Sequence, residues 1–496
     1  MTASISAAVR DRREADPVVP PPLRARVDGE LAALLQQQDL LRSLVDAFGS
    51  PLNVVLPHQL TRRTAGFREM LRRQPMGHRI FLAHKPNRSS ALIRQAAVDG
   101  VDLDVASAGE LAHGLVNGFA GRRIEATGPK NADFLRLALQ HDVLVQVDNV
   151  DELRQLDHLA AALGCRRPVD VTLRVAVPGT ADTRFGLAPD VARAVIDDLA
   201  GRSASLRLHG LGVHLTSGGL RERLAAFDVL VGLHVQALRR GANPVAIDVG
   251  GGFGVQTLAD PSAWPVYTAA VKAGLLGRGP TLTWNDETFG LRVEGDRVVG
   301  SAVLPDLARS GGGAAELEEF LTADATHGGA ARRRSVTDVL ADLGLQLHCE
   351  PGRSVYDQCG LTLARVCFVK RSPGGAWLVG LDANRSSLGI PDRELFLDPV
   401  VLPAAMGTGG AVGVHLVGNL CHPADILSRH LVRLEAMPVA GDVLAFPNTA
   451  AYVMDFTESS TLLQRTAAKV AVARRGDRWR WWRDEDYEPA LPEARP

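Results

Sequence analysis

Lys85 ends the apolar run Arg79 to Ala83, immediately before Pro86 and Asn87. An amine presented at the end of a strand can condense with an aldehyde to form a Schiff base. Further segments put other reactive side chains next to turns. In GVHLTSGG, His214 lies in a strand-like run and Ser217 begins a small-residue turn; in IDVGGGFG, a strand runs into Gly250, Gly251 and Gly252. HCEPGRS sets Glu350 and Arg353 around a Pro-Gly corner, VGNLCHPAD carries Cys421, His422 and Asp425, and GDVLAFPNTAAY ends on Tyr452. Asp104 in LDVAS and Arg174 in VTLRVAV are polar residues inside apolar strands, and each needs a partner if buried.

Residues without a Cβ let backbone N–H groups approach an anion closely, and an arginine adds a planar charged fork, so Gly250 to Gly252 with Arg353 suit a phosphate. A dinucleotide loop does not fit, because GGGFG lacks the GxGxxG spacing and falls midway along the chain. Taken singly, each residue has an ordinary alternative: a solvated lysine, a surface carboxylate before a turn, a core histidine, a buried thiol acting as a small hydrophobe. The five cysteines, Cys165, Cys349, Cys359, Cys367 and Cys421, are odd in number and lack the spacing of a zinc site, which argues against disulfides and against a cysteine-bound metal.

In this fixed order, the segments from roughly Pro51 to Arg475 resemble the fold type III pyridoxal phosphate (PLP) decarboxylases, the family of diaminopimelate, ornithine and arginine decarboxylases, whose barrel is shared with alanine racemase. The resemblance implies that Lys85 is catalytic and holds PLP as an internal aldimine. His214 would then stack on the ring, Glu350 bind the pyridine nitrogen, and Ser217, Gly250, Gly251, Gly252, Arg353 and Tyr452 hold the phosphate. It also implies a homodimer with shared active sites, in which Cys421 of one chain returns a proton after carbon dioxide leaves and Asp425, with His422 beside it, meets the far end of the substrate. Asp104 and Arg174 would orient Lys85 or the cofactor, with structural ion pairing as the alternative.

An anion at the pyridine nitrogen keeps it protonated and makes the ring a strong electron sink. The related racemases carry arginine there, so Glu350 favours decarboxylation. The chain departs from the diaminopimelate pattern Cys-Glu-Ser-x-Asp, reading Cys421, His422, Pro423, Ala424, Asp425. The glutamate that reads the distal stereocentre is thus a histidine, which is neutral or cationic near neutral pH and disfavours diaminopimelate itself. Gly-Ala-Tyr is likewise Ala450, Ala451, Tyr452, and TRFGL (Thr183 to Leu187) has arginine where the family has lysine. The expected reaction is decarboxylation of an amino acid, most simply a diamino acid. The alternatives are a PLP-dependent racemase or epimerase and a catalytically silent PLP-binding regulatory protein.

These residues need a scaffold, and the pattern around Lys85 supplies its opening. Strand Arg79 to Ala83, helix Ser89 to Val98 and strand Val101 to Val105 form a βαβ unit. The expected fold is α/β: a (β/α)₈ TIM-type barrel from about Val54 to Ser354 with chemistry at its C-terminal mouth, then a β domain with strands at Leu361 to Lys370, Trp377 to Leu381, Val412 to Val417 and Asp442 to Ala445. The organisation expected is an N-terminal arm and helix over 1–50, a barrel over 51–357, a β domain over 358–480 and a tail over 481–496. The resemblance implies that Pro51 to Leu56 pairs with the β domain. About 280–335 reads as an insertion with a strand pair, a Gly-rich linker and a helix near Ala314 to Thr322, placed to act at the pocket or at an interface. Met1 to Leu23, with mixed charge and PVVPPP, reads as a mobile arm.

The 496 residues, 46% hydrophobic, suffice for a barrel and a second domain. A formal net charge of -1 provides no field for nucleic acid. The absence of a membrane-length apolar run or a secretory h-region makes cytoplasm the expected location.

Overall fold

The computed structural model describes residues 18–177, 183–202, 205–215, 219–300, 304–305, 307–325, 334–390, 394–403 and 410–489. Strand β1 (Leu52–Val55) precedes a closed parallel barrel that begins with β2 (His78–Ala83), β3 (Asp102–Val105), β4 (Ile124–Ala126), β5 (Leu144–Val147), β6 (Val169–Arg174), β7 (Leu206–Gly212) and β8 (Ala246–Asp248). A hairpin of β9 (Arg292–Glu294) and β10 (Arg297–Val299) and a short pair of β11 (Asp324–Ala325) and β12 (Arg334–Ser335) intervene before β13 (Gln346–Cys349) closes the barrel between β8 and β2.

Polar caps placed just after the strands set the helices between them. Ser89, Ser107, Asn131 and Asn149 each accept a backbone N–H with the side chain at the start of a helix. Helix Ser90–Asp99 stops at Gly100, whose φ of 76° is left-handed and suits glycine. Leu82, Leu103, Val105 and Ile124 are fully buried where strands meet helices. Gly114 lets helix Ala108–Val116 close onto β3, because a Cβ there would lie 2.6 Å from Leu103 Cδ2.

The second domain is a nine-stranded sheet. It holds β14 (Gly360–Arg371), β15 (Trp377–Leu381), β16 (Val400–Leu402), β17 (Val412–Val417), β18 (Val432–Leu434), β19 (Val443–Pro447), β20 (Ala468–Arg475) and β21 (Arg478–Arg483), together with β1. Strand β1 lies antiparallel to β14 and parallel to β20, so the chain runs through the sheet domain before entering the barrel. The insertion contains the hairpin and a helix at Ala314–Thr322, and its segment 282–287 packs on the sheet domain: Trp284 N–H donates to Arg429 O at 2.7 Å and Leu431 N–H to Leu282 O at 2.8 Å. Residues 301–303, 306 and 326–333 of that segment, and 1–17 of the expected arm, lie outside the described residues. Among the described residues, no helix is long and apolar enough to cross a membrane.

Two expectations at the chain ends need correction. The arm is anchored by its end, since Leu23 is buried and its N–H donates to Asp398 Oδ2 at 2.6 Å. Residues 481–489 are not a free tail either: β21 pairs with β20, Tyr487 is fully buried with its hydroxyl 2.8 Å from Gln95 Oε1, and Trp482 packs edge-on against it. Charge-rich composition hid this, because the anchoring comes from a few aromatic residues between arginines and carboxylates.

This C-terminal segment also supports the turn that bears Lys85. Asp484, buried, accepts from Ser90 N–H at 2.7 Å and from the Ser89 hydroxyl, capping helix Ser90–Asp99 with a carboxylate at its positive end. Asp484→Ala removes that cap. We expect it to lower stability by about 1–2 kcal/mol, read as a reduced urea midpoint with unchanged m-value; an unchanged midpoint would show that the cap contributes nothing.

Candidate active site

Lys85 leaves the C-terminal end of β2 half-buried, and the charged groups acting on its amine are Asp104, Tyr452, Glu350 and Arg174. Burial works to lower the pKa of the ammonium, but Asp104, Tyr452 and Glu350 outweigh burial and Arg174, holding it above its ordinary value. Asp104, at the end of β3, is buried and receives the Thr127 hydroxyl from beyond β4. Its pKa is pushed up to about 7, first by burial and then by Glu350, against the pull of Lys85 and Thr127.

The turn after Lys85 is clamped from the sheet domain. Tyr452 N–H donates to Pro86 O at 2.8 Å, Asn87 Nδ2 to Ala450 O at 2.7 Å, and Lys469 Nζ reaches Asn87 Oδ1 at 3.1 Å and Asp455 Oδ2 at 2.7 Å. Beside it, His84 Nε2 meets His113 Nδ1 at 2.8 Å and Ser90 Oγ lies 3.0 Å from His113 Nε2. Burial, then His84, drives His113 down to about 4, so this ring is neutral at physiological pH.

Glu350 follows β13 and is 4% exposed. Its Oε1 accepts from Gln146 Nε2 at 3.2 Å, and its Oε2 lies 2.9 Å from His214 Nδ1. Burial pushes its pKa up, but His214, Arg174 and Lys85 together override this and bring it down to about 2. Arg174 itself is 3.7 Å from Asp148 Oδ1, and its guanidinium stands 4.7 Å from the Phe185 ring centroid, so ion pairing and proximity to the site coexist.

The glycine run beside His214 follows a path that other residues rarely take. Gly250 and Gly252 have φ of 66° and 75°, and a Cβ would lie 2.4 Å from Val213 O on the first and 2.0 Å from Leu215 O on the second. A Cβ on Gly251 would lie 2.5 Å from Glu350 O and 3.4 Å from His214 Cε1. Across the mouth, a Cβ on Gly352 would stand 3.4 Å from the Tyr452 hydroxyl, and the Arg353 guanidinium lies 5.7 Å from the Tyr452 ring. This donor set suits PLP. The glycine-lined backbone with Tyr452 and Arg353 fits a phosphate, the ionised Glu350 fits a protonated ring nitrogen, and Lys85 fits the aldehyde. Ser217 lies outside the described residues.

Cys421 and His422 are exposed on the loop after β17. Asp425 is buried, and its carboxylate accepts from Arg385 N–H at 2.9 Å and Leu420 N–H at 2.8 Å, which fixes the loop's shape. His422 Nδ1 accepts from Ala424 N–H at 3.1 Å, which places the ring proton on Nε2. The chain thus gathers Lys85, Asp104, Arg174, His214, Gly250 to Gly252, Glu350, Arg353 and Tyr452 around the mouth, and carries Cys421, His422 and Asp425 on a separate sheet-domain loop.

Sequence reasoning missed Thr127, Gln146 and the buried pair Lys130 and Glu152. Lys130 Nζ bonds Gln146 O at 2.6 Å and Glu152 Oε1 at 2.9 Å, which backs the strand carrying Gln146. Its signal was present in TGPKN, a second lysine just beyond a barrel strand, but three partners on a buried side chain give it a structural role.

Residues 58–275 match the family described as pyridoxal-dependent decarboxylase, pyridoxal binding domain, and residues 353–450 match its C-terminal sheet domain. An uncharacterized protein of Sinorhizobium fredii is 30% identical over 88% of this chain and 91% of its own length. The diaminopimelate decarboxylase of Actinosynnema pretiosum is 29% identical, covering 85% of each chain. The crystal structure of diaminopimelate decarboxylase from M. jannaschii with L-lysine shares the fold, with a TM-score of 0.64 at 18% identity over 88% of this chain and 89% of that one.

The lowered pKa of Glu350 makes a prediction about acid stability. A group depressed in the folded state contributes stability that is fully present above its unfolded value near 4.5 and is lost as pH falls towards about 2. Wild-type protein should therefore lose more stability between pH 6 and pH 3 than Glu350→Gln. Parallel urea melts at the two pH values test this, and equal losses would count against an ionised Glu350.

Proposed function

The chain belongs to the pyridoxal-dependent decarboxylases and is a PLP-dependent amino-acid decarboxylase, and from that premise we propose that it converts a diamino acid to the corresponding amine and carbon dioxide with Lys85 as the cofactor-bearing residue. The observation that carries the site assignment is Glu350, a buried carboxylate kept ionised at the residue that follows β13, beside His214 and within electrostatic reach of Lys85.

Bound PLP supplies an electron sink for the pair of electrons left on the α-carbon when carbon dioxide departs. Lys85 would hold the cofactor at its aldehyde carbon, and its free ammonium would keep a proton beside the α-carbon. Asp104, backed by Thr127, keeps that amine charged when free. Glu350 holds the proton on the pyridine nitrogen, with Gln146 and His214 fixing the carboxylate. His214 would pack on the ring face, and Gly250 to Gly252, Arg353 and Tyr452, with Ser217 as the family resemblance implies, would hold the phosphate. Arg174 balances the Glu350 charge from the adjacent wall.

The sheet-domain loop completes the site from a second copy in a homodimer. Cys421 would deliver a proton to the α-carbon, so that one proton enters where one carboxylate leaves. Asp425 shapes the loop and offers a buried negative charge to a distal ammonium, while His422 Nε2–H faces the same end of the substrate. The curated diaminopimelate decarboxylases among the relatives support a substrate with two amines. His422, in place of an acidic group, supports one other than diaminopimelate. The free cysteines fit a reducing compartment such as the cytoplasm.

Purified protein should show a near-visible absorbance band that is lost in Lys85→Ala, and should release carbon dioxide from one diamino acid in a panel of L- and D-amino acids. Absence of the band would overturn the assignment of Lys85, and inversion without carbon dioxide would move the chain to racemisation. Cys421→Ala should lower kcat by about 10²–10⁴-fold. Mixing it with Lys85→Ala should restore up to about a quarter of wild-type activity, because half of the reassorted dimers then carry one intact site; no recovery would place both residues in one chain.

A further inference from the structure

The interior of a barrel of this type is ordinarily filled by branched apolar side chains. Here Glu125 from β4, Asp248 from β8 and His348 from β13 share one interior layer, with exposures of 0%, 1% and 0%. Asp248 and His348 are register partners on adjacent strands. One ligating atom from each of the three lies within 4.8 Å of the other two. Asp248 Oδ2 and both His348 nitrogens lack hydrogen-bond partners, as does the buried Thr172 Oγ1, and Glu125 has no partner closer than the Gln146 amide, which donates to Glu350.

A buried polar group without a partner costs about 1–3 kcal/mol, and more if charged, so this many in one layer call for a shared partner. Water could bridge the gaps one at a time, whereas a single cation would contact all three side chains at once. A divalent cation would balance both carboxylates and take a neutral imidazole as its third ligand. Two oxygens and one nitrogen form a borderline donor set suited to zinc, manganese or iron(II). Bonds of about 2.1 Å put ligand atoms about 3–4 Å apart, which small side-chain rotations would reach from the spacing observed.

We propose that Glu125, Asp248 and His348 bind one divalent transition-metal ion inside the barrel, beneath Glu350. His348 precedes Glu350 by two residues, the second just past the end of β13, so the ion would sit about 6–7 Å further down the barrel than the Glu350 backbone. There it ties three strands together and places a fixed positive charge under the group that faces the cofactor. The inference is independent of substrate identity and does not require the decarboxylase assignment.

The test uses full-length, PLP-loaded protein produced in media supplemented in turn with zinc, manganese or iron(II), washed with EDTA and analysed by elemental mass spectrometry. The expected result is about one tightly held ion per chain under one supply, below about a tenth of that in Glu125→Gln, and an anomalous scattering peak at the absorption edge between Glu125, Asp248 and His348 in wild-type crystals. Metal below about a tenth per chain under every supply, a peak elsewhere, or water at the position would overturn the proposal. Occupancy and the anomalous peak are measured on wild type, so the outcome stands even if the variant does not fold.

Discussion

A carboxylate buried at the mouth of a barrel stays ionised only if positive charge and hydrogen-bond donors converge on it from several strands, and Glu350 has this arrangement. Its partners come from β5 through Gln146, from the end of β6 through Arg174, from beyond β7 through His214 and from the end of β2 through Lys85. No linear segment could bring these together. Barrel closure does so because all strands run the same way, and residues just past their C-terminal ends face one mouth. The same convergence raises Lys85 and Asp104 while lowering Glu350, so three groups that would otherwise titrate separately share one field.

The second constraint is mechanical. A lysine on a turn is useful only if that turn is held, and Pro86 and Asn87 are held from the sheet domain by Tyr452, Ala450 and Lys469. Asp484 caps the helix that follows. Strand β1 belongs to the sheet although it precedes the barrel, which ties the two domains together at both ends of the barrel sequence. The position of Lys85 therefore depends as much on residues 450–487 as on the barrel strand that delivers it.

Much of this was legible from local signals. Strand periodicity and the Lys-Pro-Asn turn located β2 and Lys85, β17 was read at its observed bounds, and a hairpin was expected where β9 and β10 lie. The residues gathered at the mouth were recognisable because their motifs pair a reactive side chain with a turn. Thr127, Gln146 and the pair of Lys130 with Glu152 were not, because a polar residue in an apolar strand shows only that a partner is needed and not which strand brings it. Tyr487 and Asp484 were lost in a charged tail for the same reason: their partners, Gln95 and the start of helix Ser90–Asp99, are nearly four hundred residues away in the chain.

The loop bearing Cys421 shows how substrate choice could change while the centre stays the same. Asp425 is committed to backbone N–H groups, so its charge serves first to hold the turn. His422 stands exposed with Nδ1 engaged and Nε2–H free to point outward, a donor where the diaminopimelate pattern has an anion. If this loop reaches the substrate as proposed, replacing an acceptor by a donor would reverse the polarity there without touching Lys85 or Glu350. The insertion reinforces that divergence structurally, because residues 282–287 bond to Arg429 and Leu431, shortly after this loop, and Arg429 pairs with Glu287 at 2.6 Å. Changes in residues 282–287 can therefore reach the segment that follows the Cys421 loop through these bonds, whereas the charges that hold Glu350 ionised come from other strand ends and do not depend on it.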